Sequence, residues 1–175
     1  MTEAENCFET ILKSRRSVRR FQQKPLDESV VQKLKESCLR SPASRNLNPW
    51  RFFFISDKEI LAKLSRVKQH GSDFVKEAAL AVVIAADEGT ADTWIEDCSI
   101  AAIILQLAAE SFGLGSCWVQ VRMRENEEGR SSEDIVRQVL SLDVNIRVLC
   151  IIAIGYPAEP KNPIPEYSLD WHKLK

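Results

Sequence analysis

Four guanidinium groups and a hydroxyl fall within six residues at Arg15-Arg16-Ser17-Val18-Arg19-Arg20. A group of this kind can hold a phosphate through bidentate, charge-assisted hydrogen bonds. The competing reading of the same residues is a solvated basic turn. The loop Ser41-Pro42-Ala43-Ser44-Arg45-Asn46-Leu47-Asn48-Pro49 offers the amides of Asn46 and Asn48 to a polar ring edge, although by itself it is an ordinary helix-to-strand connection. Five widely spaced cysteines form no CxxC pair, and His70 and His172 are the only histidines, so neither a structural metal nor a disulfide framework is expected. Cys117 reads as a small core residue. Gly113-Leu114-Gly115 looks like the start of a dinucleotide fingerprint, but it follows a helical pattern and Trp118 stands where the third glycine belongs. No side chain in the sequence stands out as a catalytic acid, base or nucleophile.

Around these residues the periodicity predicts alternating cover. Thr2 and Glu5 form a candidate capping box, and Phe8, Ile11 and Leu12 recur at helical spacing up to about Ser14. Asp27 is the expected N-cap of a helix carrying Val30, Leu34 and Cys38. Phe52–Ile55 reads as a buried strand, followed by a short helix capped by Asp57. Ala78–Ala86 reads as a second strand, though its alanines leave a helix open. Thr93–Phe112 is a helix, apolar around most of its circumference and stopped by Gly113, and it belongs in a core or a subunit interface. Strands are expected at Ser116–Val121 and Val148–Ile154, with a helix capped by Ser131 or Ser132 between them. The order of elements does not alternate as βαβ, so the expected class is α+β in a single domain over residues 1–175, with 156–175 as a proline-rich extended tail.

Composition removes several classes of function. A net charge of −1 and the lack of a basic surface interleaved with aromatics argue against nucleic acid as a partner. The longest apolar run, Ile100–Ala109, is interrupted by Gln106 and is too short to span a membrane. The acidic start Met1-Thr2-Glu3-Ala4-Glu5 does not read as a secretory signal, which makes the cytoplasm the expected compartment.

Four segments taken together say more than any one of them. In order, ILKSRRSVRRF, SPASRNLNPW, EDCSIAAIILQLAAESFGLGSCW and CIIAIGYPAEP resemble the hallmark segments of the nitroreductase family over about residues 8–161. The resemblance implies a mostly antiparallel sheet flanked by helices, in an intertwined homodimer whose C-terminal extension wraps the partner, with FMN bound non-covalently at the interface. It implies that Arg15 and Ser17, with Arg16 beside them, contact the FMN phosphate and ribityl chain, and that Arg19 approaches the N1/C2 edge of the flavin. Pro42, Ala43, Ser44 and Asn46 would reach the flavin from the partner subunit. Trp118, Val119 and Gln120 would lie along the ring near N5. Gln69 is the candidate for the pyrimidine edge, chosen by its position before the second strand.

Relatives in this family often carry a Lys or Arg pair after the GYP turn; here Lys161 is the single cation in Lys161-Asn162-Pro163-Ile164-Pro165. Either Lys161 serves alone, or the first cluster carries the phosphate, with Arg122 or Arg124 as further candidates. The activity implied is hydride transfer from NADH or NADPH through FMN to a small planar acceptor such as a nitroaromatic, quinone or flavin. Reductive dehalogenation, breakdown of the flavin itself, and a non-catalytic FMN-binding or interaction protein are the alternatives on the same scaffold.

Overall fold

Four strands dense in β-branched, aromatic and alanine residues pair antiparallel in the computed structural model, which describes residues 3–174. They are β1 (Trp50–Ile55), β2 (Leu80–Asp87), β3 (Gly115–Gln120) and β4 (Ile146–Gly155), in the spatial order β1-β2-β4-β3. The expected class, α+β, is the one observed, and every pairing among these named strands is antiparallel. Ala81, Ala85 and Ala86 are settled as strand by two neighbours, whereas Ala78 and Ala79 precede it. β2 sits between β1 and β4 and is buried along nearly its whole length.

Helices cover both faces, which is why β2 and β4 read as continuous apolar runs instead of alternating ones. The helices are α1 (Glu3–Ser14), α2 (Glu28–Leu39), α3 (Lys58–Leu64), α4 (Trp94–Ser111) and α5 (Ser132–Leu140). Leu80, Val82, Ile84, Ile152 and Ile154 face a core completed by α2 and α4. Ala81, Val83, Ile151 and Ala153 face a second core that holds Leu61 and Leu64 of α3 and Val136 of α5. Leu149 bulges out of the β2–β4 register, and its carbonyl takes the amides of both Val121 (3.2 Å) and Arg122 (3.0 Å), which ends β3.

Capping follows the sequence in two of three places. Asp57 accepts from the amides of Glu59 and Ile60 at 2.8 and 3.0 Å, and Ser131 accepts from Asp134. Asp27 occupies the N-cap of α2 in an extended conformation, but its side chain makes no capping bond. The Thr2–Glu5 box lies outside the described residues. The tail beyond Gly155 is exposed from Pro160 onward and forms two short turns, Glu166–Ser168 and Trp171–Lys173. No helix of the described residues is long and apolar enough to cross a membrane.

Candidate functional site

The arginine segment is fixed by two glycines that face each other across the β3–β4 pair, Gly115 and Gly155. A Cβ at Gly115 would lie 2.7 Å from the side chain of Val18, and one at Gly155 would lie 2.9 Å from Phe21. The bare patch left by the two missing side chains receives Val18 and Phe21, which are 4% and 5% exposed. Backbone bonds hold the segment down: the Val18 amide donates to the Ser116 carbonyl (2.9 Å) and the Gln22 amide to that of Tyr156 (2.8 Å). Ser17 and Ser116 thus form a parallel bridge on the outer edge of β3.

With Val18 anchored inward, Arg15, Ser17 and Arg19 are alternate residues of an extended chain and share the opposite side. Through the Ser17–Ser116 bridge they lie beside Cys117 at the edge of β3. Burial pushes the Cys117 thiol up, and Arg19, a Ser17 hydrogen bond, Arg15 and Lys68 all pull against that rise. Arg19 also lies over the Phe74 ring, 5.9 Å from its centre. Neither Arg15, Arg19 nor Lys68 has a carboxylate partner among the described residues. Arg15 and Arg19 on one side of the segment, neither in an ion pair among the described residues, make a local positive field on a molecule whose net charge is −1.

Arg16 goes elsewhere. It donates to the Asn162 carbonyl of the tail, while Lys161 pairs with Glu159 at 2.6 Å. Both line a hollow of about 140 Å³ with Ser14, Gly115 and Pro157, apart from the group around Cys117. Arg20 pairs with Glu159 as well.

Beyond the Ser116 bridge the outer edge of β3 has no strand partner among the described residues. Because Ser116 uses its carbonyl on that edge, strand alternation puts the peptide groups of Trp118 and Gln120 there too. The Trp118 indole donates to the Gln120 side-chain oxygen (2.9 Å), and the Gln120 amide donates to the Arg122 carbonyl (2.9 Å), so both side chains are held. The Val119 side chain lies in the second core at 1% exposure, and by the same alternation its peptide groups face β4. A ligand lying along this edge would meet the peptide groups of Trp118 and Gln120, which have no strand partner among the described residues; the Trp118 carbonyl accepts only from the Cys117 thiol (3.6 Å).

The loop after α2 docks at the far end of α4. The Ser44 amide donates to buried Asp97 (2.8 Å), which also accepts from Thr93 (3.1 Å), and Arg45 pairs with Asp92. Arg45, Asn46 and Asn48 all take left-handed φ values of 50–55°. Pro42 and Asn46 are exposed, and Ala43 and Ser44 are half-buried. From Asp97 to the C-terminal end of α4, next to the arginine segment, the helix covers about 20 Å. One chain therefore does not bring Pro42, Ala43, Ser44 and Asn46 onto the phosphate-competent end of the site. Gln69 is exposed and its amide donates to the Glu125 carbonyl (3.0 Å). Its neighbour Lys68, which the sequence does not single out, adds positive charge that favours the Cys117 thiolate. Asp97 and the Gly115–Gly155 pair are equally silent in the sequence; a glycine doublet facing itself across two strands shows only once their register is known.

The architecture and the site define an α+β protein with an arginine segment, unpaired at Arg15 and Arg19, beside a free sheet edge. The sequence profile of the nitroreductase family matches residues 12–71 and 62–156. A protein of Methanothermobacter thermautotrophicus that carries the provisional name NADH dehydrogenase/NAD(P)H nitroreductase is 32% identical over 152 residues, which cover 85% of this chain and 76% of that protein. A protein of the same provisional name from Archaeoglobus fulgidus is 30% identical over 162 residues, 90% of this chain and 89% of the relative. The solved structure of an FMN-dependent nitroreductase from Clostridium difficile R20291 superposes with a TM-score of 0.92 at 39% identity, covering 94% of this chain and 96% of the other. The chain belongs to the nitroreductase family and is an oxidoreductase of that family.

Proposed function

We propose that this chain is an FMN-dependent oxidoreductase that passes hydride from NADH or NADPH to a small planar acceptor, a nitroaromatic, quinone or flavin. The observation that carries the reading is that Arg15, Ser17 and Arg19, neither arginine paired with a carboxylate among the described residues, lie at the open edge of β3, where Ser17 bridges to Ser116. The donor set fits FMN: cations and a hydroxyl suit its phosphate, and a row of peptide groups suits the polar edge of its ring. When bound, FMN supplies the hydride chemistry, accepting two electrons and a proton equivalent from one substrate and delivering them to the next.

The protein's part is to bind and to tune. Arg15 and Ser17 hold the phosphate and ribityl end. Arg19 would place positive charge at the N1/C2 edge, where reduction puts negative charge. The Trp118 and Gln120 peptide groups face the N5 side of the ring. No side chain acts as an acid or base in the hydride step.

Pro42, Ala43, Ser44 and Asn46 complete the site from the partner subunit of a homodimer. Two features support this: the separation of that loop from the arginine segment along α4, and the apolar residues left exposed on α1 and α4, Phe8, Leu12, Ile100 and Ile103. Arg16 and Lys161 are tied to the tail in the single chain, so their contribution to the phosphate requires the tail to move when it passes to the partner.

Anaerobic mixing of the FMN-loaded protein with NADH and with NADPH tests the activity directly. Loss of the oxidised flavin absorbance with at least one donor is expected; persistent oxidised absorbance with both overturns the oxidoreductase reading.

A further inference from the structure

Next to Lys68 the surface opens into a hollow of about 390 Å³ between two loops, residues 65–73 and 121–125. Its lining is Lys68, Gln69, His70, Met123, Arg124 and Glu125. The two lips are pinned together through the start of α5. Ser132 donates its hydroxyl to the Val67 carbonyl (2.5 Å) and its amide to the Arg124 carbonyl (2.8 Å), and the Gln69 amide donates to the Glu125 carbonyl (3.0 Å). Ser72 closes the first loop on itself through the Ser65 carbonyl (2.7 Å). The hollow is thus held open by hydrogen bonds that do not use its charged side chains.

Those side chains favour an anion. Lys68 and Arg124 are cations, and Glu125 is the one carboxylate in the lining. The Arg124 guanidinium spends one donor on the Met123 carbonyl (2.8 Å) and has no carboxylate partner among the described residues. The neighbouring hollow, which shares Lys68 and Gln69, is edged by Asp73, Glu127 and Glu128. An anion entering beside Lys68 is therefore drawn toward Arg124 and repelled from the acidic side.

We propose that this hollow receives the phosphate-bearing part of the nicotinamide donor, with Arg124 as the main anchor. The inference rests on the oxidoreductase reading above. The hollow adjoins the open edge of β3: its second lip, residues 121–125, follows directly from that strand, and the Gln120 side-chain amide donates to the Arg122 carbonyl (2.9 Å). A donor whose ring lies on the flavin must place its phosphates a short distance away. The hollow is the cationic space at that boundary, and its pinned lips spare the ordering cost of forming it on binding.

The test uses the FMN-loaded protein, wild type, Arg124→Gln and Arg124→Lys, with three donors: NADH, NADPH, and N-benzyl-1,4-dihydronicotinamide, which has the reducing ring and no phosphate. Flavin reduction is followed anaerobically against donor concentration. In Arg124→Gln the apparent Kd for NADH and NADPH should rise about tenfold, as for the loss of one charge-assisted contact. Reduction by the benzyl compound should not change, FMN content should stay the same, and Arg124→Lys should recover most of the affinity. Unchanged NADH and NADPH affinity in Arg124→Gln, or equal weakening of all three donors, overturns the inference while leaving the activity standing. Failure of all three donors to reduce the wild-type flavin overturns the activity and the inference with it.

Discussion

Val18 rests on Gly115 with no room for a methyl group between them: a Cβ at residue 115 would come within 2.7 Å of the valine side chain. That contact sets the height of the arginine segment above β3, and hence the direction of Arg15, Ser17 and Arg19. Gly115→Ala should therefore act at a distance on the cofactor. Overpacking of this kind costs about 1–3 kcal/mol, which should lower the thermal midpoint without unfolding the chain. FMN affinity, measured by quenching of flavin fluorescence on binding, should fall in the same variant. A variant that is destabilised but binds FMN as tightly as wild type would mean that the segment does not position the cofactor.

Among the four arginines of the turn, Arg15 should matter more for FMN than Arg20. Arg15 lies with Ser17 and Arg19 on one side of the segment, whereas Arg20 is exposed and spends its charge on Glu159. Losing a charge-assisted contact costs about 1.5–3 kcal/mol, so Arg15→Ala should weaken FMN retention by about one to two orders of magnitude. Arg20→Ala should leave it near wild type. The flavin-to-protein absorbance ratio after gel filtration reads both, and equal ratios in the two variants would count against the assignment.

Much of this arrangement is legible in the amino-acid sequence. The strands can be read because central strands covered on both faces must be apolar throughout, and β2 and β4 are. The basic cluster can be read as a phosphate site, but not the division of labour within it. Arg16 stands between Arg15 and Ser17 in sequence, yet extended geometry turns it to the tail and Asn162. Lys68 is hidden for a different reason. Sequence position alone points to Gln69, and only the closure of the loop by Ser72 on Ser65 and the Gln69–Glu125 backbone bond show where these two adjacent residues lie. The capping aspartates show the same limit. Asp27 and Asp57 both precede helices, and only Asp57 turns its carboxylate back onto the first amides.

Burial pushes the thiols of Cys38 and Cys98 up to about 12. An unfolded chain releases those protons near the ordinary thiol value of 9.0, while the folded protein keeps them. Between these values the native state binds more protons than the unfolded state, so stability falls as pH rises. Each thiol contributes a slope of about 1.4 kcal/mol per pH unit in that window and none below it. Urea midpoints should accordingly be flat for these groups up to about pH 8.5 and fall beyond about pH 9. Cys38→Ala should have a shallower alkaline slope than wild type; an identical slope would show that the Cys38 thiol is accessible to base in the folded state.

On the proposed reading, the FMN site is complete only in a dimer. The loop carrying Ser44 and Asn46 then serves the partner's flavin, because within one chain it docks on Asp97, far along α4 from the arginine segment. The same helix leaves Ile100 and Ile103 39% and 41% exposed, three residues apart and so on one face. α1 packs alongside with Phe8 and Leu12 exposed. If these residues meet a second copy, Ile103→Lys buries a charge without a partner and should dissociate the dimer. Sedimentation velocity should then report a monomer, and bound FMN should fall in step with the dimer fraction as protein is diluted. The coupling is the informative part. A monomeric Ile103→Lys protein that keeps its full complement of FMN would place every required contact within one chain, and would remove Pro42, Ala43, Ser44 and Asn46 from the site.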